Sequence, residues 1–295
     1  MKYADWTRGQ DEALLNIIGE ENAKKLLRGE VSVKFEDIVK ILFDKRGRRI
    51  PKGLQTNVCD PDKDFHLIQP KLKKDVDFAN RILRLHGCLG IDTGVTAEQL
   101  KSETERLLAI VNGNPQIANI AKGVYLPVIM PKIVNNDLGA EMELYLAGVK
   151  ESYGKAFDHR SFNNYRQGTL ANNVSIVDGA RHDQLIERMK EGPVIGLHFP
   201  NPLQGFSVNA DRKQMSTLPE GFILSGMDTA IAMVMYPDIL ARDWNTSGLD
   251  LAALQWRSSG SSLYFKALDD LLAFDFTDDL ACAYVSCSGG LVFLG

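Results

Sequence analysis

Three apolar runs in this sequence are each followed by polar side chains of the kinds that hold a small polar or anionic molecule and move protons. Lys132, Asn135 and Asn136 follow Val124–Met130; Asp178, Arg181 and His182 follow Val174–Val177; His198 lies near the end of Val194–Phe199, with Asn201 and Gln204 just beyond. An imidazole titrates near neutral pH, so His198 and His182 are the candidate acid–base groups and Asp178 the carboxylate to orient one of them. Arg181, Asn201, Gln204 and Lys132 would bind the ligand by charge and hydrogen bonds. The competing structural reading is plain. Loops are polar in any protein, Arg181 and His182 would face solvent on a first helical turn, and a strand-end histidine often only bonds a backbone carbonyl. His198 is nevertheless the one titratable group in an apolar strand, where an imidazole without partners costs roughly 1–3 kcal/mol.

These groups meet only if the strands that carry them lie side by side and point the same way, since ligands of open parallel sheets bind beyond the carboxyl ends. The pattern predicts that arrangement. Asp137–Phe157 reads as a long amphipathic helix with Leu138, Met142, Tyr145, Val149 and Tyr153 near one face, and Ala180–Glu191 as a second helix. Strand, helix, strand, helix, strand implies parallel pairing through right-handed crossovers. Beyond it come a short strand Phe222–Leu224, a helix capped by Asp228 and broken at Pro237, and an antiparallel meander over Leu254–Arg257, Ser262–Ala267, Leu271–Phe276 and Leu291–Leu294. The front of the chain carries helix grammar instead. Thr7 with Gln10 and Thr96 with Gln99 are capping boxes, and Glu21–Arg28, Phe35–Phe43 and Phe78–Leu85 read as further helices. The expected fold class is therefore α+β or α/β: a helical domain over residues 1–113, then an α/β domain over 114–295 with a βαβαβ core and a C-terminal antiparallel meander.

Other motifs are weaker. Asp60, Asp62 and Asp64 have the spacing that opens a calcium loop, but Phe65 stands where the turn needs glycine and Lys71 where the closing glutamate belongs. Cys282 and Cys287 have no second pair and no nearby histidine for zinc, so no metal is expected. Lys45, Arg46, Arg48, Arg49 and Lys52 form a basic cluster; a solvated surface is its ordinary explanation, with nucleic acid or another anionic partner as the alternative. No G-x-G-x-x-G follows a predicted strand and no G-x-x-x-x-G-K-[ST] occurs, so no nucleotide cofactor is expected either. Ser225 stands between a strand and a helix like a nucleophile elbow, yet the first glycine of that motif is missing, and a helix start capped by Asp228 explains it better.

The 295 residues carry 34 Lys and Arg against 38 Asp and Glu, a balance that argues against a surface built wholly for nucleic acid or anionic membranes. Met1–Gly9 is polar and the longest apolar run is Ala230–Tyr236, so neither export nor a membrane span is expected, and four scattered cysteines read as reduced thiols of a soluble, cytoplasmic protein. The runs His198–Phe206 and Tyr236–Asp243 and the ending Ser288–Gly295 resemble a group of uncharacterised bacterial proteins, a resemblance that implies bacterial origin and no activity. The leading expectation is a ligand- or partner-binding α/β domain. The alternatives are a cofactor-free hydrolase or transferase using His198 or His182, and a nucleic-acid or assembly protein acting through the helical domain and its basic loop.

Overall fold

The computed structural model describes residues 7–32, 39–51, 58–59, 76–158, 160–240 and 242–295. Contacts divide the chain into two compact units, Met1–Lys40 and Ile41–Gly295. The first holds α1 (Arg8–Ile18) and α2 (Glu20–Leu27), the former opened by the expected box, in which the Thr7 amide donates to Gln10 Oε1 at 2.8 Å.

The second unit has a mixed α+β fold. Its first helices, α3 (Phe78–Leu89) and α4 (Ala97–Gly113), pack within this unit, α3 on later helices and α4 on the sheet. The box at Thr96 is complete, with Gln99 N–H on Thr96 Oγ1 at 3.2 Å and Thr96 N–H on Gln99 Oε1 at 2.8 Å. There follow β1 (Leu126–Met130), α5 (Leu138–Ala156), β2 (Ser161–Asn164), β3 (Val174–Ile176), α6 (His182–Glu191) and β4 (Val194–Gln204). Then come α7 (Val208–Gln214), β5 (Phe222–Leu224), α8 (Met227–Met235), β6 (Gly248–Leu251), β7 (Leu254–Trp256), β8 (Ser262–Ala267), β9 (Leu271–Thr277) and β10 (Cys287–Phe293). Among the described residues no helix is long and apolar enough to cross a membrane.

The strands pair differently from the parallel βαβαβ expectation. β1 runs antiparallel to β4, with Leu126 opposite His198 and Met130 opposite Val194, and β3 leaves the main sheet to pair antiparallel with β7. The main sheet has the order β1-β4-β10-β6-β8-β9-β2. Alternation of helical and apolar segments fixes which elements exist but not which strands become neighbours, and here the last strand is inserted in the middle. Of the expected meander only the β8–β9 pair survives: Leu254–Trp256 pairs with β3, β8 takes β6 as its other antiparallel partner, and β10 returns to lie between β4 and β6 and runs parallel to β6.

β10 also changes partner along its length. Cys287–Gly289 pairs with β6, and Leu291–Phe293 pairs with β5 on the same flank. On the other flank Leu291 is opposite Phe199 and Gly289 is opposite Leu203, so Pro200, Asn201 and Pro202 of β4 face the single residue Gly290. Two prolines without amide donors fit such a bulge, where ladder hydrogen bonds lapse. One face of the sheet, with Val128, Met130 and Val292, packs against α5 and α8; the other, with Leu197, Phe199, Leu291 and Phe293, packs with Val208 and Ala210 of α7.

Candidate functional site

The switch of partners at Gly289 and Gly290 places a buried polar cluster on each face of the sheet. On the α8 face His198 projects from β4, and its Nδ1 lies 2.8 Å from Asp228 Oδ2. The other oxygen of Asp228 accepts the Gly226 amide at 2.6 Å and lies 3.9 Å from His182 Nδ1. Asp228 is thus inside the first turn of α8, where it orders both the turn and the imidazole, and Gly226 is the cap residue that the sequence had assigned to Asp228. Burial alone would raise its pKa, but the His198 hydrogen bond, the neighbouring imidazoles and the Gly226 amide more than reverse this and hold the carboxyl below its ordinary range. His182 meets backbone on both nitrogens, Leu224 O at 3.1 Å and the Met227 amide at 3.3 Å, which suits a neutral ring protonated on Nδ1. Burial pushes its pKa down against the pull of Asp228.

The two expected histidines therefore come together, on either side of Asp228 and not of Asp178, which is exposed in the turn before α6. Ser225 joins them. A methyl group built on Gly290 would lie 2.8 Å from Ser225 Oγ and 3.2 Å from His198 Cε1, so only glycine leaves room for both side chains against β10. His198, Asp228 and Ser225 have the residue types of an acyl-transfer triad. All three are fully buried, however, and none lines a cavity found among the described residues. As folded, this cluster is an internal brace.

The remaining sequence candidates are dispersed. Lys132 is exposed beyond the end of β1. Because β1 and β4 are antiparallel, that end adjoins the start of β4, four residues or about 13 Å from His198. Arg181 spends its guanidinium on the carbonyls of Met215, Leu218, Pro219 and Phe222, at 2.7–3.4 Å. Asn201 donates to Ser247 Oγ, Gln204 to Val285 O, and Asn135 to Glu141 Oε2. Each of these braces a loop.

The basic cluster is largely turned inward. Val39 to Leu42 are not helical, and Phe43 instead pairs with Arg49 across a turn in which Asp44 Oδ1 accepts the amides of Arg46 and Arg48. This hairpin, where the third helix was expected to end, buries Arg48 and Arg49. Arg49 donates to Gln214 Oε1, Thr217 Oγ1 and the carbonyls of Leu42 and Ile50, and Arg48 to Gln204 O. Neither guanidinium is presented to phosphates. Lys52 and the Asp60, Asp62 and Asp64 motif lie outside the described residues, as does most of the expected helix before Val39.

On the α7 face the chemistry is different. Asp250 of β6 stands beside Gly289 in the parallel register, and beyond it Asp211 of α7 presses so closely on Gly289 that any side chain there would collide with its carboxyl group. Both Asp211 oxygens are buried without a hydrogen-bond partner among the described residues. Burial, with the charge of Asp250 added, drives the Asp211 pKa well above the carboxylate range. Asp250 is only 7% exposed and burial raises its pKa to about 7, with Lys266 pulling the other way. Its carboxyl group receives no hydrogen bond from any described residue. It forms part of the wall of a cavity of about 230 Å³ that Lys266 and Tyr264 of β8, Phe206, Phe276 and Cys287 also line. The Cys287 thiol is pushed up to about 12 by burial and then by Asp250, so it stays protonated and is no nucleophile.

Sequence reasoning missed Asp211, Asp250 and Lys266. The one available signal was Gly289–Gly290 inside an apolar strand, since glycine in a strand marks a bulge or a close approach. Among the described residues no cluster of His, Cys, Asp or Glu is disposed to hold a metal ion. No family model matches the chain, and neither a curated protein nor a solved structure matches it.

Proposed function

We propose that this protein binds a small polar molecule in the cavity beside β6 and β8, and that Asp250 exchanges a proton with it. The observation that carries this reading is a buried carboxyl group in the wall of a cavity, hydrogen-bonded by no described residue, whose pKa burial raises to about 7. Groups of that kind cost stability and are concentrated at sites of acid–base chemistry. At about 230 Å³ the cavity falls below the roughly 300 Å³ at which drug-sized sites begin, so the occupant is small. The apolar rings of Phe206 and Phe276 supply contact area while Asp250, Lys266 and Tyr264 supply orientation. The histidine alternative is weaker, because His198 and Ser225 are sealed within the core.

Screening small polar fragments by NMR tests the proposal. Hits should shift the amide signals of Asp250, Tyr264 and Cys287, and Asp250→Asn should weaken them by about tenfold or more, the scale of one charge-assisted hydrogen bond. Hits that map elsewhere, or that are indifferent to Asp250→Asn, would refute it.

A further inference from the structure

Asp250 and Lys266 offer opposite charges to one small cavity without forming an ion pair with each other. Asp250 is opposite Tyr264 in the antiparallel register, which makes Lys266 its diagonal neighbour, with backbones about 7–8 Å apart. Asp250 is at the buried end and Lys266 is exposed. Phe206, Val208 and Phe276 provide apolar wall between them. A cationic occupant would pair with Asp250 but be repelled by Lys266, and an anionic one the reverse, whereas a molecule carrying both charges is attracted by each.

We propose, on the reading of the cavity given above, that its occupant is a small zwitterion: an ammonium group held by Asp250, a carboxylate held by Lys266, and an apolar body against Phe206, Val208 and Phe276. A second acid, Asp279, also lines the cavity. The other titratable groups on the cavity wall are Tyr264, Tyr284, Cys282 and Cys287, with Asp211 behind Gly289. Burial holds Tyr264, Cys287 and Asp211 toward their protonated forms, so none of these three competes for the ammonium group. The carboxylate form of Asp250 is the one that pairs with a cation, and binding should therefore tighten as pH rises through its titration.

Calorimetric titration of the full chain with phenylalanine, phenethylamine and 3-phenylpropionate tests this, because the three share one ring and differ in charge. Phenylalanine should bind about tenfold tighter than either singly charged probe, and up to about tenfold tighter at pH 8 than at pH 6. Asp250→Asn should abolish the pH dependence, and Lys266→Met should erase the preference for phenylalanine over phenethylamine. Equal or tighter binding of a singly charged probe would overturn the zwitterion while leaving the cavity as a binding site. So would failure of all three probes alongside other fragments that still shift Asp250. Failure of every fragment at Asp250 would remove the binding site itself. The comparison among probes uses the unaltered protein and needs no variant to fold.

Discussion

Asp228→Ala is expected to cost about 3–5 kcal/mol of stability, because it takes a buried carboxylate away from two buried hydrogen-bond partners. The substitution leaves His198 Nδ1 and the Gly226 amide facing the core with no acceptor, and it removes the anion between two imidazoles. For a unit of this size each kcal/mol moves the melting temperature by roughly 2–4 °C, so a fall of about 6–20 °C should be seen. Asp228→Asn keeps one oxygen acceptor and should fall in between. Because its folded pKa is depressed, the contribution of Asp228 is present above its unfolded value of about 3.9 and is lost as pH falls through the folded value. Denaturant unfolding of the two variants checks this; a loss below about 1 kcal/mol for the alanine variant would show that the brace carries little.

Asp250 should act on stability with the opposite sign. Its folded pKa of about 7 exceeds the unfolded value, so the acid form is favoured on folding and the advantage is complete below about pH 3.9. Ionisation removes it progressively as pH rises through the folded value. Between pH 5 and pH 8 the protein should lose on the order of 3 kcal/mol from this group, with Asp211 adding in the same direction. Asp250→Asn should flatten that decline and be more stable than the natural protein at pH 8. Asp228 titrates below this window, whereas His182, whose pKa burial lowers, contributes in the opposite sense within it, so the Asp250 part is read from the difference between the natural protein and Asp250→Asn. An asparagine variant with the same slope as the natural protein would contradict this. A group that weakens the fold at neutral pH and is hydrogen-bonded by no described residue is most simply explained by its use toward a ligand.

The elements of this fold were legible in the sequence where local rules decide them. The Thr96 and Gln99 box opens α4, and Tyr145, Val149 and Tyr153 are buried along α5; the helix expected over Phe78–Leu85 runs one turn further, to Gly90 in the left-handed conformation. Strand neighbours were not legible, because pairing is settled by contacts between residues far apart: nothing near Cys287–Phe293 announces that it will enter between β4 and β6. The same gap explains the site. His182 and His198 were visible as unusual residues and do converge, but their carboxylate comes from α8, after the third strand, where it reads as an ordinary cap. Arg48 and Arg49 look like surface charges until a hairpin turns them inward. Asp250, in Gly248–Leu251, resembles any acid in an amphipathic strand; only the insertion of a glycine pair beside it, with Asp211 behind, makes it a buried group on a cavity.

The most direct measurement is the titration of Asp250 itself, followed by the carbon-13 shift of its carboxyl group and assigned by its absence in Asp250→Asn. The structure predicts a midpoint near pH 7 in the free protein, displaced downward when a ligand carrying an ammonium group is added. A midpoint in the ordinary aspartate range, about pH 4, unmoved by any fragment that binds, would contradict the assignment of Asp250 as the acid–base group of this site.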